Sequence, residues 1–542
     1  MILKENTNSQ KLRGAYYTPL TLAEKIVEYF KDDNSIKSVL EPSCGDGVFF
    51  DAIINQSLIS KFTTVEGIEI EKDEAAKLKE RLLKYKNINI QNSDFFDFYK
   101  ENSTSKKYDL ILGNPPYIRY QYLKESQRVE MSEILTSQKM KSNKLINTWV
   151  AFVVACVNLL SDNGKIAFVI PAEILQVAYA KELRSFLSRE LSNITLFAFK
   201  DLVFPDIQQE IVVFVGEKKS SHKGIRIVEL QNLSEIFISK IKKIEFQPLS
   251  NVKEKWTKYF ISKEEIDLIA SIKSDSRFQK LSDCALINVG VTTGNNKYFS
   301  LNKSTTQKYD LESISLPLIG RSSHANSVYF KKSDWQKNVN KNKAAYLVNF
   351  SNKKLTSYSD KQKSYIKYGE KNGLNKGYKC SIRDDWYKIP SIWIPDAFFL
   401  RRNNLYPKFV LNCCSAISTD TMHRVKFNKD IEPEKIVLSY YNSISFAFTE
   451  ICGRSYGGGV LEILPSEVGS IYVPKLDAVP IEKVREILKA VDNIVRQNES
   501  IEKALDLVDN EILVAYLKVK KDNCVQARTI WKKLQNRRLS RS

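Results

Sequence analysis

Between residues 20 and 220, short apolar runs alternate with stretches whose apolar residues recur every three or four positions. Leu22, Ile26, Val27 and Phe30 share one helical face. Val39-Leu40 predicts a short strand, and Val48 to Ile59 a helix. Thr63 to Ile70 reads as a strand, Asp73 to Leu83 as a charged helix, and Ile88 to Ile90 as a strand. Tyr108 to Gly113 is a further strand, ending in Asn114-Pro115-Pro116-Tyr117. Asn143 to Leu160 predicts a long helix, and its run Trp149 to Val157 is apolar enough to be buried on all sides. Lys165 to Ile170 (strand), Tyr179 to Leu191 (helix), Ile194 to Phe199 (strand) and Glu210 to Val215 (the last strand) complete the series. Repeated strand–helix units of this kind predict an α/β fold, a mostly parallel sheet covered by helices on both faces.

The pattern changes after the polar stretch Lys218-Lys219-Ser220-Ser221-His222-Lys223-Gly224. Strands become irregular, which predicts a mixed α+β region. Lys331 to Arg402 combines lysines with Tyr346, Tyr358, Tyr365, Tyr368, Tyr378, Trp386, Tyr387 and Trp393. From Pro480 to Lys518, apolar residues at helical spacing mark one or two long helices, and Lys518 to Arg541 is strongly basic. The expected divisions are 1–220, 221–478 and 479–542.

Charge sharpens this division. The 542 residues carry 83 basic and 63 acidic side chains, a net charge of +20. Residues 1–220 hold 29 of each sign, so the excess, 54 against 34, lies in 221–542. A neutral unit is joined to a basic one, and the basic one should meet a polyanion. The eight cysteines form no C-x-x-C pair, and the three histidines (His222, His324, His423) have no metal-ligand spacing. No metal is expected. The polar start, Met1 to Arg13, lacks the apolar core of a signal peptide, and no apolar run reaches membrane-spanning length. A cytoplasmic, membrane-free, monomeric protein is the expectation.

Four local motifs carry candidate chemistry. Leu40-Glu41-Pro42-Ser43-Cys44-Gly45-Asp46-Gly47 follows a strand and opens a helix, with glycines that let the backbone turn tightly against a ligand. It is neither a Walker loop nor G-x-G-x-x-G. Glu69, in Gly67-Ile68-Glu69-Ile70, ends the second strand, where an acid can accept both hydroxyls of a ribose. Asp94, in Asn92-Ser93-Asp94-Phe95, follows the third strand and could accept from an exocyclic adenine amine, with Phe95 against the ring. The fourth is Asn114-Pro115-Pro116-Tyr117. An exocyclic base amine is a poor nucleophile because its lone pair is delocalised into the ring. The Asn114 side-chain oxygen and the Pro115 carbonyl would each take one N–H and orient that lone pair. Two prolines stiffen the loop, and Tyr117 offers a face for stacking.

At these motifs the chain resembles the amino-methyltransferases that use S-adenosylmethionine (AdoMet). More narrowly, it resembles the γ-class N6-adenine DNA methyltransferases of bacterial type II restriction–modification systems. The resemblance implies a Rossmann-like catalytic domain followed by a DNA-recognition region with C-terminal helices. It places Gly14-Ala15-Tyr16-Tyr17-Thr18-Pro19 at the family's N-terminal cofactor motif. It places Glu41, Ser43 and Gly45 in the cofactor loop, Glu69 and Ile70 at the ribose acid, and Asp94-Phe95 at the adenine contacts. Asn114 to Tyr117 matches the catalytic motif, and Phe204 of Val203-Phe204-Pro205 stands where an aromatic stacks on the flipped base. Beyond 225, the glycine-rich stretches Val289 to Lys297 and Tyr456 to Pro465 are similar to the recognition half.

The implied reaction is methyl transfer to N6 of an adenine flipped out of double-stranded DNA, protecting sites from a cognate nuclease. The basic half would clamp phosphates, with Lys331 to Arg402 foremost. Arg321, Arg383, Arg401, Arg402 and Arg454 are candidates for guanine contacts. Alternatives with the same motif are N4-cytosine methylation and methylation of RNA or a protein glutamine. A fused nuclease would rest on Pro205-Asp206 and Glu217-Lys218-Lys219, where Pro205 already has a place in the sheet region.

Overall fold

The computed structural model describes residues 18–143, 146–201, 210–232, 244–249, 254–350, 354–456 and 458–540. They form two compact units that divide between Phe260 and Ile261.

The first unit is built on an eight-stranded sheet of β1 (Ser38–Glu41), β2 (Thr64–Glu69), β3 (Ile88–Asn92), β4 (Tyr108–Gly113), β5 (Leu160–Pro171), β6 (Asn193–Phe199), β7 (Ile211–Glu217) and β8 (Gly224–Leu230). The strand order is β3-β2-β1-β4-β5-β7-β6-β8. Strands β3 to β5 run parallel, and β7 lies antiparallel between β5 and β6. The order reverses between β1 and β4, and the carboxyl ends of those two strands flank the crevice where ligands bind in such sheets.

The crossovers are α1 (Leu20–Glu28), α2 (Val48–Asn55), α3 (Lys72–Leu82), α4 (Phe95–Asn102), α5 (Glu125–Ser137), α6 (Thr148–Leu159) and α7 (Ala180–Glu190). One core cluster packs Leu22, Ile26, Phe49, Phe50 and Leu78 against Val39 and Leu110 of the sheet. Helix α6 is buried around nearly its whole circumference, as its unbroken apolar run requires.

Three details differ from the sequence pattern. Helices α4 and α5 were not expected, because Asp97 and Lys100 interrupt the apolar run of α4 and polar residues dominate α5. Helix α6 starts at Thr148 rather than Asn143. Glu210 to Val215 is not the last strand: Gly224-Ile225-Arg226-Ile227-Val228-Glu229-Leu230 adds parallel to β6. The boundary expected at 220 therefore falls between two strands of one sheet, and the compact unit continues to Phe260.

The second unit has a five-stranded sheet ordered Ala285–Val289, Met422–Phe427, Ala397–Leu400, Phe409–Cys413 and Tyr329–Lys331, with smaller sheets beside it. The C-terminal helices Ile481–Arg496, Ile501–Val508 and Lys521–Leu539 belong to this unit rather than standing apart as 479–542. Trp531 meets Phe446 edge-on at 5.2 Å, and Arg538, fully buried, forms an ion pair with buried Glu450 at 2.8 Å.

The aromatic residues of 331–402 are largely core. Tyr346, Tyr358, Tyr365 and Tyr387 are buried together, and Tyr298 stacks on Tyr365 at 4.6 Å. Tyr368 and Tyr378 are the exceptions, 46% and 74% exposed.

Candidate functional site

A cavity of ≈ 320 Å³ occupies the carboxyl edge of the first sheet, at the point where strand order reverses. Its floor is the loop after β1. Gly47 has φ +84°, and a Cβ there would stand 2.4 Å from Leu78 Cδ1, so only glycine lets α2 begin this close to α3. The Gly47 amide donates to the Cys44 carbonyl at 2.7 Å, and the Cys44 amide to Ile68 in β2 at 3.0 Å. The Gly45 amide donates to Glu69 Oε2 at 2.7 Å, and Glu71 donates to Glu69 Oε1 at 2.9 Å. Glu69 thus shapes the loop while keeping a second lone pair on each oxygen.

The lining brings together Thr18, Glu41, Ser43, Gly45, Glu69, Ile70, Asp94, Phe95, Asn114 and Pro116. These come from four separate strand ends and the start of α1. Ser43 Oγ donates to the Asn114 carbonyl at 3.4 Å, linking the loops after β1 and β4. Pro115 is buried and, like Tyr117, does not line the cavity. The Tyr117 hydroxyl donates to the Val169 carbonyl of β5 at 2.9 Å. Phe204 and residues 14–17 lie outside the described residues.

Seven acidic side chains line the cavity and no basic one does. Glu41 is 3% exposed, and its Oε2 has no hydrogen-bond partner among the described residues. Burial, reinforced by Asp46 and Glu69, holds its carboxyl well above the usual carboxylate range. Burial also raises Glu69, against the pull of the two backbone N–H groups that stabilise its charge. A ligand with positive charge would relieve both.

Several lining residues stand outside the sequence motifs, Gln127 and Phe152 among them. Gln127, on α5, donates its amide to Asp94 Oδ2 at 2.7 Å, while Asp94 Oδ1 caps α4 by accepting from Phe96 N at 2.9 Å. Phe152 of α6 stacks on Phe95 at 4.7 Å behind it. Neither Gln127 nor Phe152 sits in a motif, and only the crossing of α4, α5 and α6 brings them to the cavity.

In the second unit, most of the candidate arginines are engaged within the protein. Arg401 and Arg402 share Glu462 at 3.0 and 2.8 Å, and Arg454 pairs with Glu467 at 2.8 Å. Arg383 donates to the Thr292 carbonyl at 3.1 Å. Arg321 is exposed.

Two family models match the chain. Residues 26–204 match the Eco57I restriction-modification methylase, and residues 253–513 the C-terminal domain of type II methyltransferase M.Eco57I. The type II methyltransferase M.AccI of Acinetobacter calcoaceticus is 25% identical over 539 residues, spanning 94% of each chain. M.HindII of Haemophilus influenzae is 25% identical over 66% of this chain and 69% of its own. Among solved structures, the DrdV–DNA complex superposes with a TM-score of 0.52 over 90% of this chain and 58% of that one, at 12% identity, a likeness of fold.

Proposed function

Because the chain belongs to the Eco57I-type family of type II restriction–modification DNA methyltransferases, we propose that it methylates N6 of adenine at a specific site in double-stranded DNA. The modification would protect that site from a cognate restriction enzyme. The observation that carries this reading is Asn114, which follows β4 and lines the same cavity as Glu41, Glu69 and Asp94.

S-adenosyl-L-methionine is the cofactor. The cavity fits it. The molecule carries a sulfonium and an ammonium against one carboxylate, and the lining is acidic, with a buried Glu41 oxygen awaiting a donor. Glu69 at the end of β2 would hold the ribose hydroxyls, and Asp94 and Phe95 the adenine, with Ile70, 50% exposed, against the ring. Thr18, Ser43 and Gly45 would bind the amino-acid end. When bound, the cofactor supplies an electrophilic methyl group on sulfur.

The residues of the β4 loop do the rest. The Asn114 side-chain oxygen and the Pro115 carbonyl each accept one N–H of the target amine, which turns its lone pair towards the methyl group. Pro115 and Pro116 keep the loop from relaxing away. The base must leave the duplex to reach this point. Tyr117, anchored through its hydroxyl to Val169, supplies a ring of fixed position near it, and Phe204 would complete the stack. No covalent attachment to the protein is required.

DNA contact falls mainly to the second unit. From Ile261 on, the sequence holds 46 basic against 30 acidic side chains. The exposed lysines of 331–402 are the phosphate contacts in this reading, and its buried aromatics support the surface that carries them. Long-read sequencing of DNA from cells expressing the protein tests the proposal. N6-methyladenine in one sequence context is expected. N4-methylcytosine would move the target to the alternative base, and unmodified DNA would refute the reading.

A further inference from the structure

The edge where a target base would enter poses an electrostatic problem. The cavity is lined by carboxylates alone among charged groups, whereas a nucleotide brings a phosphate on each side. Something local has to offset that repulsion, and the first unit has only a small basic excess, 37 against 33 over residues 1–260.

The segment after the catalytic motif supplies a candidate. Ile118 lines the cavity, and Arg119 follows it with extended backbone, φ −73° and ψ 142°. Arg119 itself does not line the cavity. The backbone there is fixed. Arg119 bridges Asn147 in antiparallel fashion, and the Ile118 carbonyl accepts from both the Thr148 amide at 2.9 Å and Thr148 Oγ1 at 2.7 Å.

Two arginines stand in this segment, and they do different things. Arg128 folds back on the turn, donating to the Tyr120 carbonyl at 3.1 Å and the Gln121 carbonyl at 3.0 Å, with its guanidinium over the Tyr120 ring. The Arg119 side chain is exposed and makes no hydrogen bond or ion pair among the described residues. The Arg119 charge acts on the Tyr179 hydroxyl, which is itself hydrogen-bonded to Glu173. A stiffened turn that presents one uncommitted guanidinium five residues from Asn114 is suited to a planar, bidentate anion.

We propose that Arg119 is a phosphate clamp, binding the phosphodiester beside the target nucleotide and holding the strand while the base occupies the site at Asn114. This rests on the DNA-methylation reading above. Arg119 makes no contact with the base, so it contributes to affinity and not to sequence choice.

The test uses the full chain and a duplex carrying the methylated site found by sequencing, with an unreactive cofactor analogue present. DNA affinity is measured across a salt series for the wild type, Arg119→Ala and Arg119→Lys. Arg119→Ala is expected to weaken binding about tenfold near 0.1 M salt and to flatten the slope of log affinity against log salt by about 1. Arg119→Lys should keep the slope, and cofactor affinity should be unchanged in both. An unchanged slope in Arg119→Ala overturns the clamp, as does a loss of affinity that is the same at every salt concentration. If the wild type methylates DNA and the slope does not move, the clamp alone fails; if the wild type transfers no methyl group to DNA, both readings fail.

Discussion

Gln127 donates its side-chain amide to Asp94 across 2.7 Å, joining residues 33 positions apart at the wall of the cavity on the first sheet. Asp94 uses its other oxygen to cap α4, so its carboxylate is held from two sides. If the cavity holds the cofactor as proposed, Gln127 acts as a positioning residue. Hydrogen bonds to charged groups contribute about 1.5–3 kcal/mol, so Gln127→Ala should raise the KM for AdoMet roughly 10- to 100-fold and leave kcat within about twofold at saturation. Gln127→Glu sets a second carboxylate against Asp94, and the pair must then share a proton. Its cofactor binding should improve as pH falls. A defect of equal size at every pH would mean that Gln127 only supports the helix.

Glu41 should trade stability for binding. Its carboxyl is raised by burial above its value in the unfolded chain, so the folded state binds the proton more tightly. The stability this contributes is present at acid pH and is lost as pH rises through the folded value. Glu41→Gln removes that loss. Relieving an unsatisfied buried acceptor is worth about 1–3 kcal/mol, roughly 2–10 °C in Tm for a unit of this size. The gain over wild type should grow with pH in thermal melts without cofactor, and AdoMet affinity measured by calorimetry should fall.

Asn114→Ala should abolish methyl transfer in a radiolabelled-methyl assay, with a loss of at least about 100-fold from misplacement of the amine. AdoMet binding should persist, because Glu41, Glu69 and Asp94 reach the cavity from other strands. Retained transfer would remove Asn114 from the reaction.

Arg538 and Glu450 form a buried pair, and Arg538 also donates to the Gly459 carbonyl at 2.6 Å. Leaving one such charge without its partner costs about 3–5 kcal/mol. Arg538→Met should therefore lower the denaturation midpoint sharply, whereas Arg538→Met with Glu450→Leu should recover most of it. Equal destabilisation by the single and double variants would show that the backbone contact at Gly459, not the ion pair, is what matters.

Gly47→Ala should impair folding or cofactor binding, since a φ of +84° strains any residue with a Cβ and the Leu78 methyl 2.4 Å away would have to shift. Calorimetric AdoMet binding near wild-type strength would show that the loop can shift.

The strand–helix alternation of 20–220, the switch-point loops and the order of Glu41, Glu69, Asp94 and Asn114 follow from local pattern, because each is written within a few consecutive residues. Strand β8 was harder to read, since its pairing partner β6 lies 31 residues earlier and its polar approach resembles a linker. Helices α4 and α5 carry too little apolar periodicity to announce themselves. The fate of the side chains depended on the fold. Sequence cannot tell a buried tyrosine from an exposed one in 331–402, nor show that Arg401 and Arg402 share Glu462, because those partners are some 60 residues apart. The same holds for Gln127. Its sequence neighbours are ordinary helix, and only the packing of α5 against α4 and α6 makes it a wall of the site. Local chemistry was fixed by short motifs; which groups face one another was decided by long-range packing, whose contacts leave no local trace.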